Sequence, residues 1–152
     1  MIRHRRRATK RRPSADDEHT HQRRVVAALR AAGVTFCASV VDGITTGRAG
    51  AKAVSLGYES GDPDLRIYDP PPAFPGCHST ALEMKRPGAA PKTTRAHRFS
   101  PATPAQRARL ALLEDRGWLV IVGCGFDDAM TKLRAAGYPI AGHAGSDVSA
   151  GL

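Results

Sequence analysis

Two short apolar segments that end against ionisable side chains most constrain what this chain can fold into. Residues 65–68 and 80–84 have the length and residue types of buried strands, and turn-forming residues bound both of them. The stretch between them, 69–76, holds four prolines and cannot be a central strand. We therefore expect the two segments to pair as a hairpin with an extended connection.

This hairpin would bring two carboxylates and an ammonium together at the edge of the core. Asp64 begins the first strand. In the second strand, Glu83 and Lys85 lie two residues apart and share a face, whereas Met84 points away. Ionised groups are costly there unless they are paired or hold a metal, and carboxylates suit Mg²⁺ or Mn²⁺. The spacing alone leaves a second interpretation open, a surface hairpin with an ordinary Glu–Lys pair.

Two predicted helices carry polar residues on their buried faces. The first spans 14–33, and Glu18 extends its apolar face by one turn, either as a helix-capping residue or as a functional one. The second spans 100–117, with Thr103 as its cap. Gln106 lies on the buried side of this helix and needs hydrogen-bond partners, which a neighbouring backbone group could supply.

The remaining pattern predicts a mixed sheet with helices packed against it. The order of elements is helix, strand, a short helix, two strands, helix, strand and helix, and a tight connection from Gly123 to Gly125 precedes the last helix. The elements not yet given are strands at 34–41 and 118–122, helices at 49–56 and 127–136, and turns at 42–43 and 123–125.

The positive charge of the chain is concentrated at its start. The net charge is +9, and residues 1–13 hold seven of the 23 arginines and lysines and no acid, so the other 16 face 14 acids. Such a block is typical of a disordered arm that contacts phosphates; a solubilising tail or a targeting signal are the alternatives. At the other end, 140–152 is small and polar, and we expect a flexible tail.

Composition excludes several classes of protein. No apolar run reaches the length of a membrane span, and the arm lacks the apolar centre of a secretory signal, so we expect a soluble cytoplasmic protein. The three cysteines, Cys37, Cys77 and Cys124, contain no C-x-x-C pair, which argues against a disulfide framework or a zinc site. We expect Cys37 and Cys124 to fill the core.

The motifs of the hairpin resemble a known nuclease core. Pro63-Asp64 followed by Glu83-Met84-Lys85 resembles the PD-(D/E)xK pattern, and most closely its VRR-NUC branch. The segments G-D-P-D-L, A-L-E-M-K-R and S-P-A-T-P-A-Q carry this resemblance, together with the glutamate of the first helix, over roughly residues 18–137. The chain departs from the family at Asp42-Gly43, where asparagine–glycine is usual.

The resemblance implies a fold and a chemistry. The fold is α/β and restriction-endonuclease-like, a mixed sheet flanked by helices over 14–139. The implied activity is metal-dependent cleavage of DNA, in which Asp64, Glu83, the backbone carbonyl of Met84 and Glu18 hold Mg²⁺ or Mn²⁺. Lys85 would position the attacking water or stabilise the phosphorane, and Gln106 would support the carboxylates and water.

The resemblance also implies partners. The resembled family includes enzymes that cut branched DNA, and its stand-alone members resemble Holliday-junction resolvases that act as homodimers. We therefore expect this chain to act on branched DNA as a homodimer. In a bacterium or a phage-infected cell, we also expect it to associate with the nucleoid. Arg48 and Lys52 could equally be solvated surface charges, as most single cations are, and 87–98 is equally consistent with a linker. The candidate DNA contacts are Arg48, Lys52, Arg86, Lys92, Arg95 and Arg98.

Two alternatives to a structure-specific endonuclease remain at this stage. One is a non-catalytic, basic nucleic-acid-binding protein on a nuclease fold. The other is a site-specific restriction-type endonuclease, although we expect no separate recognition domain in a sequence of this length.

Overall fold

The computed structural model describes residues 17–39, 47–91, 93 and 96–142, and within them it contains four helices and four strands. In chain order these are α1 (Glu18–Ala31), β1 (Phe36–Ala38), α2 (Gly47–Ser55), β2 (Leu65–Ile67), β3 (Ser79–Lys85), α3 (Pro104–Asp115), β4 (Trp118–Cys124) and α4 (Phe126–Ala135).

The four strands form one mixed sheet in the order β1-β2-β3-β4. The β1–β2 and β2–β3 pairs are antiparallel, and the β3–β4 pair is parallel. The predicted hairpin is therefore confirmed, with Leu65 paired to Leu82, and the proline-rich segment connects its strands. Because β3 is covered on both faces, six of its seven residues are buried.

The two faces of β3 pack against different helices. Leu82 and Met84 belong to a core cluster with Val25 and Leu29 of α1 and with residues of α4. Ala81 belongs to a second cluster, built on α3. Since side chains alternate along a strand, Glu83 lies on the same face as Ala81, toward α3.

Helix α1 begins later than the sequence predicted. Glu18 is its first residue and Asp17 occupies the N-cap position without a side-chain cap hydrogen bond, whereas the expected start at 14 lies outside the described residues. The predicted buried face is confirmed by Val25 and Leu29, both fully buried. The helix gives way after Ala31 to a turn that contains Gly33, as expected.

Helix α3 begins with a reciprocal capping arrangement. The Thr103 hydroxyl accepts the backbone N–H of Gln106 at 3.3 Å, and the Gln106 side-chain oxygen accepts the backbone N–H of Thr103 at 2.9 Å. Pro104 occupies the first helical position, where its missing N–H costs nothing. The predicted cap at Thr103 is confirmed, and the helix starts four residues later than the predicted bound at 100.

The turn predicted at 123–125 is wrong for its first two residues. Gly123 and Cys124 continue β4, pairing with Met84 and Lys85. Gly123 is required because α4 packs closely there: a Cβ at this position would lie 2.7 Å from the Ala129 Cβ. The glycine serves the contact between β4 and α4, a tertiary reason that local composition does not reveal.

Three smaller expectations also change. Cys37 is exposed on the short strand β1, so it does not fill the core, and Cys124 is only half-buried. Ile140, predicted to begin the C-terminal tail, is 7% exposed and belongs to the core cluster of α1 and α4. The first strand, predicted over 34–41, is shorter: it spans Phe36–Ala38, residues 34, 35 and 39 are not in a strand, and 40–41 lie outside the described residues.

Parts of the prediction lie outside the described residues. These are the arm at 1–13, the Asp42-Gly43 turn and nearly all of the C-terminal tail. In the parts of the chain that are described, no helix is both long enough and apolar enough to cross a membrane.

The close contact at Gly123 predicts a specific sensitivity to substitution. We expect Gly123→Ala to lower the free energy of unfolding by about 1–3 kcal/mol, because the added methyl group overpacks the β4–α4 contact. Gly76→Ala is the matched control, since a Cβ there meets no atom within 4 Å. Urea denaturation measures both, and equal stabilities for the two variants would contradict this account of the packing.

Candidate functional site

The hairpin places Asp64 directly beside β3. Continuing the register of Leu65 with Leu82 by one residue sets Asp64 opposite Glu83. The Asp64 Oδ2 accepts the backbone N–H of Met84 at 2.6 Å. The carboxylate thus takes the place of a ladder partner where β2 has not yet begun, and this fixes its position against β3.

The backbone N–H and C=O groups of Met84 both point toward the side of β3 on which Asp64 lies. In an extended strand the N–H and C=O of one residue point in the same lateral direction. Because the Met84 N–H points to Asp64, its carbonyl lies on the Asp64 side of β3 as well. Its side chain is fully buried in the opposite core. The structure therefore brings the two carboxylates and this carbonyl to one end of the hairpin.

Glu83 is a fully buried carboxylate whose two oxygens have different surroundings. Its side chain projects beside α3, and the whole residue is 0% exposed. Oε1 accepts hydrogen bonds from Lys85 Nζ at 2.6 Å and from the side-chain amide of Gln106. Oε2 is buried and has no hydrogen-bond partner among the described residues. A buried carboxylate oxygen without a donor is costly unless something positive binds it.

These surroundings shift the proton affinities of the pair. Burial and then the nearby charge of Asp64 raise the pKa of Glu83 from 4.5 to about 7, and Glu18 adds to the rise; Lys85 opposes it without cancelling it. For Lys85, burial lowers the pKa, but the hydrogen bond and the charge of Glu83 outweigh burial, so its pKa is raised above the ordinary value. Lys85, 14% exposed, is therefore an ammonium at neutral pH.

Gln106 links this carboxylate to the start of α3. Its amide oxygen is held by the backbone N–H of Thr103, which leaves the amide nitrogen directed at Glu83 Oε1. The sequence left open whether Gln106 satisfies a backbone group or supports the carboxylates. Its geometry does both, and the helix cap sets its orientation.

Glu18 lies at the entrance to the site. It is half-buried as the first residue of α1, and its charge reaches both Glu83 and Lys85. Over the ranges that the structure describes, however, no three His, Cys, Asp or Glu side chains are grouped closely enough to hold a metal. The donors already in place are the pair Asp64 and Glu83 and the Met84 carbonyl, with Glu18 farther out.

The donor set fits a hard divalent cation. Two carboxylates and a backbone carbonyl are oxygen ligands of the kind that Mg²⁺ and Mn²⁺ prefer. The unpartnered Oε2 of Glu83 offers a lone pair next to a second carboxylate. Binding a cation would offset both the burial of this oxygen and the repulsion between the two carboxylates.

A groove of about 870 Å³ opens from this site. One wall is α1, and the other is formed by the segment 58–62 and the start of α3. Glu18, Asp64 and Gln106 are among the residues that line it. Asp64 is thus reached from an open channel, whereas Glu83, which is 0% exposed, lies behind it and is not among the lining residues.

Sequence reasoning missed two residues that shape this channel. Asp62 is nearly buried and forms ion pairs with Arg66 and, at 2.7 Å, with Arg109 of α3. At Gly61 a Cβ would lie 2.6 Å from the Ala105 carbonyl oxygen, so the segment before β2 can approach α3 only because this residue is glycine. Both residues belong to the G-D-P-D segment, but their roles cannot be predicted from it, because they depend on where α3 packs.

The predicted DNA contacts whose side chains the structure describes do not line the groove. Lys52 and Arg86 are exposed elsewhere, and Arg98 pairs with Glu114 at 2.6 Å. Lys92 and Arg95 lie outside the described residues, as does the side chain of Arg48. The arginines that line the groove are instead Arg23 and Arg30 of α1.

Comparison with known proteins supports the fold. No family model and no curated protein matches the chain. A solved structure described as a VRR_NUC domain protein is similar to it, with a TM-score of 0.52 and 21% identity over 79% of this chain and 88% of that chain. This likeness confirms the predicted fold class, a mixed sheet flanked by helices.

The buried position of Glu83 predicts an unusual titration in the metal-free protein. We expect the Glu83 carboxyl to titrate near pH 7 in ¹³C NMR spectra recorded in EDTA. Asp64→Asn should move its midpoint toward 4.5, because a neighbouring negative charge has been removed. A wild-type midpoint at 4.5 would show that the carboxylate is solvated.

The same shift sets the pH dependence of stability. The pKa of Glu83 is higher in the folded state than in the unfolded state, so its contribution is fully present below about pH 4.5 and is lost as the pH rises to about 7. The loss amounts to about 3 kcal/mol at most. Urea denaturation of wild type and Glu83→Gln across this range, in EDTA, measures it; parallel curves would contradict the assignment.

Proposed function

We propose that the protein is a metal-dependent nuclease that hydrolyses phosphodiester bonds in DNA. The observation that carries the proposal is the buried Glu83, whose Oε2 lacks a partner in the described structure while Asp64 lies opposite. An acidic pair of this kind, with an ammonium beside it, is expensive to maintain for stability alone. The similarity of the fold to a VRR_NUC domain protein supports the same chemistry.

Asp64, Glu83 and the Met84 carbonyl would hold Mg²⁺ or Mn²⁺, with Glu18 available at the groove entrance. When bound there, the ion supplies a water of lowered pKa and polarises the scissile phosphate. Asp64 is already held in place by the Met84 N–H at 2.6 Å. Binding would therefore require little rearrangement of the hairpin.

Lys85 contributes a positive charge on the same face as Glu83. Its Nζ lies 2.6 Å from Glu83 Oε1 and carries a proton at neutral pH. In the reaction, a water oxygen forms a bond to phosphorus while the bond to the leaving oxygen breaks, and negative charge grows on the phosphoryl oxygens. We assign to Lys85 the orientation of that water or the stabilisation of that charge.

Gln106 acts through Glu83. Its amide group donates to Oε1 and so restrains the orientation of the Glu83 carboxyl group, whose Oε2 has no partner among the described residues. It is a positioning residue, held in turn by the cap of α3.

The DNA partner is part of the same proposal. The arm at 1–13, with its seven cations, gives the chain a sequence-independent affinity for phosphates. Branched or junction DNA as the preferred substrate, a homodimer with one site per strand, and action in the cytoplasm or nucleoid extend the proposal, on the strength of the motif resemblance.

A second candidate is a DNA-binding protein without catalytic activity. One observation favours it: no grouping of three potential metal-ligating side chains occurs in the described segments. The two candidates differ in one measurement, the appearance of a product that depends on Mg²⁺ or Mn²⁺ and disappears in EDTA.

Cleavage assays on purified variants test the catalytic assignment. We expect Asp64→Ala, Glu83→Ala and Lys85→Ala each to lower the rate by at least about 10²-fold, because each removes a charge used in the transition state. Binding to the same DNA, measured in EDTA, should remain. Asp115→Ala, at an exposed position at the far end of α3, is the matched control. Undiminished cleavage by Glu83→Ala would overturn the proposal.

The substrate is identified with a panel of labelled four-way junctions, forks and linear duplexes. Cleavage of the junction and fork in preference to the linear duplex would support structure-specific action. Equal rates on all three, at the same salt concentration, would contradict it.

Metal binding predicts a change in thermal stability that does not depend on activity. At about 100 times the dissociation constant, Mg²⁺ or Mn²⁺ should stabilise the folded protein by about 2.7 kcal/mol. For a chain of this size, that raises the Tm by about 5–10 °C. Glu83→Ala should show no metal-dependent rise, and an identical rise in this variant would place the ion elsewhere.

A further inference from the structure

The groove extends well beyond the acidic residues. Its α1 wall runs from Glu18 to Arg30, twelve residues apart, which corresponds to about 18 Å along a helix axis. The carboxylates lie at the start of this wall. The rest of the groove has no part in metal binding and is available to another ligand.

The far part of the α1 wall is cationic. Arg23 and Arg30 line the groove, are exposed, and form no ion pair with another described residue. They lie seven residues apart, or about 10 Å along the helix axis. At that separation the two guanidinium groups can contact different phosphates of one strand.

The opposite wall carries an aromatic side chain. Tyr58 follows α2, lines the groove and is half-buried, and its backbone N–H donates to the Ala53 carbonyl at 3.0 Å. A groove that is lined by both an aromatic residue and cations is the arrangement with which proteins bind single-stranded nucleic acid, because every unpaired base offers a face for stacking.

The size of the groove also favours a single strand. A volume of about 870 Å³ lies in the range of small-molecule pockets, which suits a few nucleotides. In a duplex, the bases stack on one another and leave no face for Tyr58. A duplex would meet only the rim of this channel.

The acids in the groove do not oppose an anionic strand at the cationic end. Asp62 is neutralised by Arg66 and Arg109. Glu18 and Asp64 lie beside the proposed ion, whose two positive charges would balance theirs. The groove therefore changes from a metal-binding end to a phosphate-binding end along α1.

We propose that this groove binds two or three unpaired nucleotides next to the scissile phosphate, with Arg23 and Arg30 contacting phosphates and Tyr58 stacking on a base. The placement beside the scissile phosphate rests on the proposed nuclease function. The binding itself requires neither metal nor catalysis and can be tested without them.

The first experiment measures binding of a short fluorescein-labelled oligothymidylate to the full chain in EDTA, by anisotropy. The variant with Arg23→Ala and Arg30→Ala together should bind about tenfold more weakly. The slope of log affinity against log salt should fall by about 1.4, because two phosphate contacts are lost at about 0.7 each. Tyr58→Ala should also weaken binding about tenfold, but with an unchanged slope, and Tyr58→Phe should restore it.

Two matched controls separate the groove from general charge and aromatic content. Arg116 is exposed at the other end of α3, about 18 Å along the axis from the turn that lines the groove. Tyr68 is 48% exposed and follows β2 at the end opposite Asp64. Arg116→Ala and Tyr68→Ala should bind like the wild type. Groove variants that bind as these controls do, or that lose affinity for blunt duplex as strongly as for oligothymidylate, would overturn the proposal.

The second experiment separates this proposal from the proposed function. On a labelled duplex with an unpaired arm, in Mg²⁺, the groove variants should raise KM about tenfold and leave kcat nearly unchanged. A wild-type protein that cuts nothing would refute the nuclease function, whereas the oligothymidylate measurements would still decide the groove. A wild type that cuts, with groove variants of unchanged KM and affinity, would refute the groove alone.

Discussion

The arrangement of the candidate site is governed by one constraint: the Glu83 carboxylate is buried, and burying a charged group is energetically costly. Glu83 lies on the inner strand β3, out of contact with solvent, and only one of its oxygens is satisfied by the described residues. Lys85 and Gln106 both bind that oxygen, and Asp64, opposite, makes ionisation harder. The neighbouring elements thus hold the carboxylate in an environment where its charge is unfavourable, and a bound cation would offset that cost. Such perturbed groups are more often found at functional sites than in ordinary cores.

Both the sheet and the helices position the Glu83 carboxylate and its neighbours. Alternation along β3 sends Met84 into one core and turns Glu83 toward α3. The late start of β2 leaves the Met84 N–H to the side chain of Asp64. Helix α1 then closes one side of the open groove, with Glu18 at its entrance. Each acidic residue comes from a different element, so their convergence is a property of the tertiary structure.

The sequence predicted the hairpin because two apolar runs and a proline-rich connection permit few other pairings, and the elements of the fold followed the expected order. Predictions failed where packing decides. Gly123 was assigned to a turn by residue type, although it belongs to a strand that α4 approaches closely. The groove cations were missed for a similar reason. Which face of α1 borders a channel depends on where 58–62 and α3 pack, and no local pattern in α1 records that.

The capping arrangement of α3 has a consequence that reaches beyond the helix. One amide group completes the first turn with its oxygen and restrains the buried carboxylate with its nitrogen. Fraying of that turn would therefore release Glu83, and, by thermodynamic reciprocity, whatever holds Glu83 in place suppresses fraying. The stability of the first turn of α3 and the orientation of the Glu83 carboxylate are therefore coupled. A substitution at Thr103, whose hydroxyl accepts the backbone N–H of Gln106, would therefore loosen the restraint on Glu83.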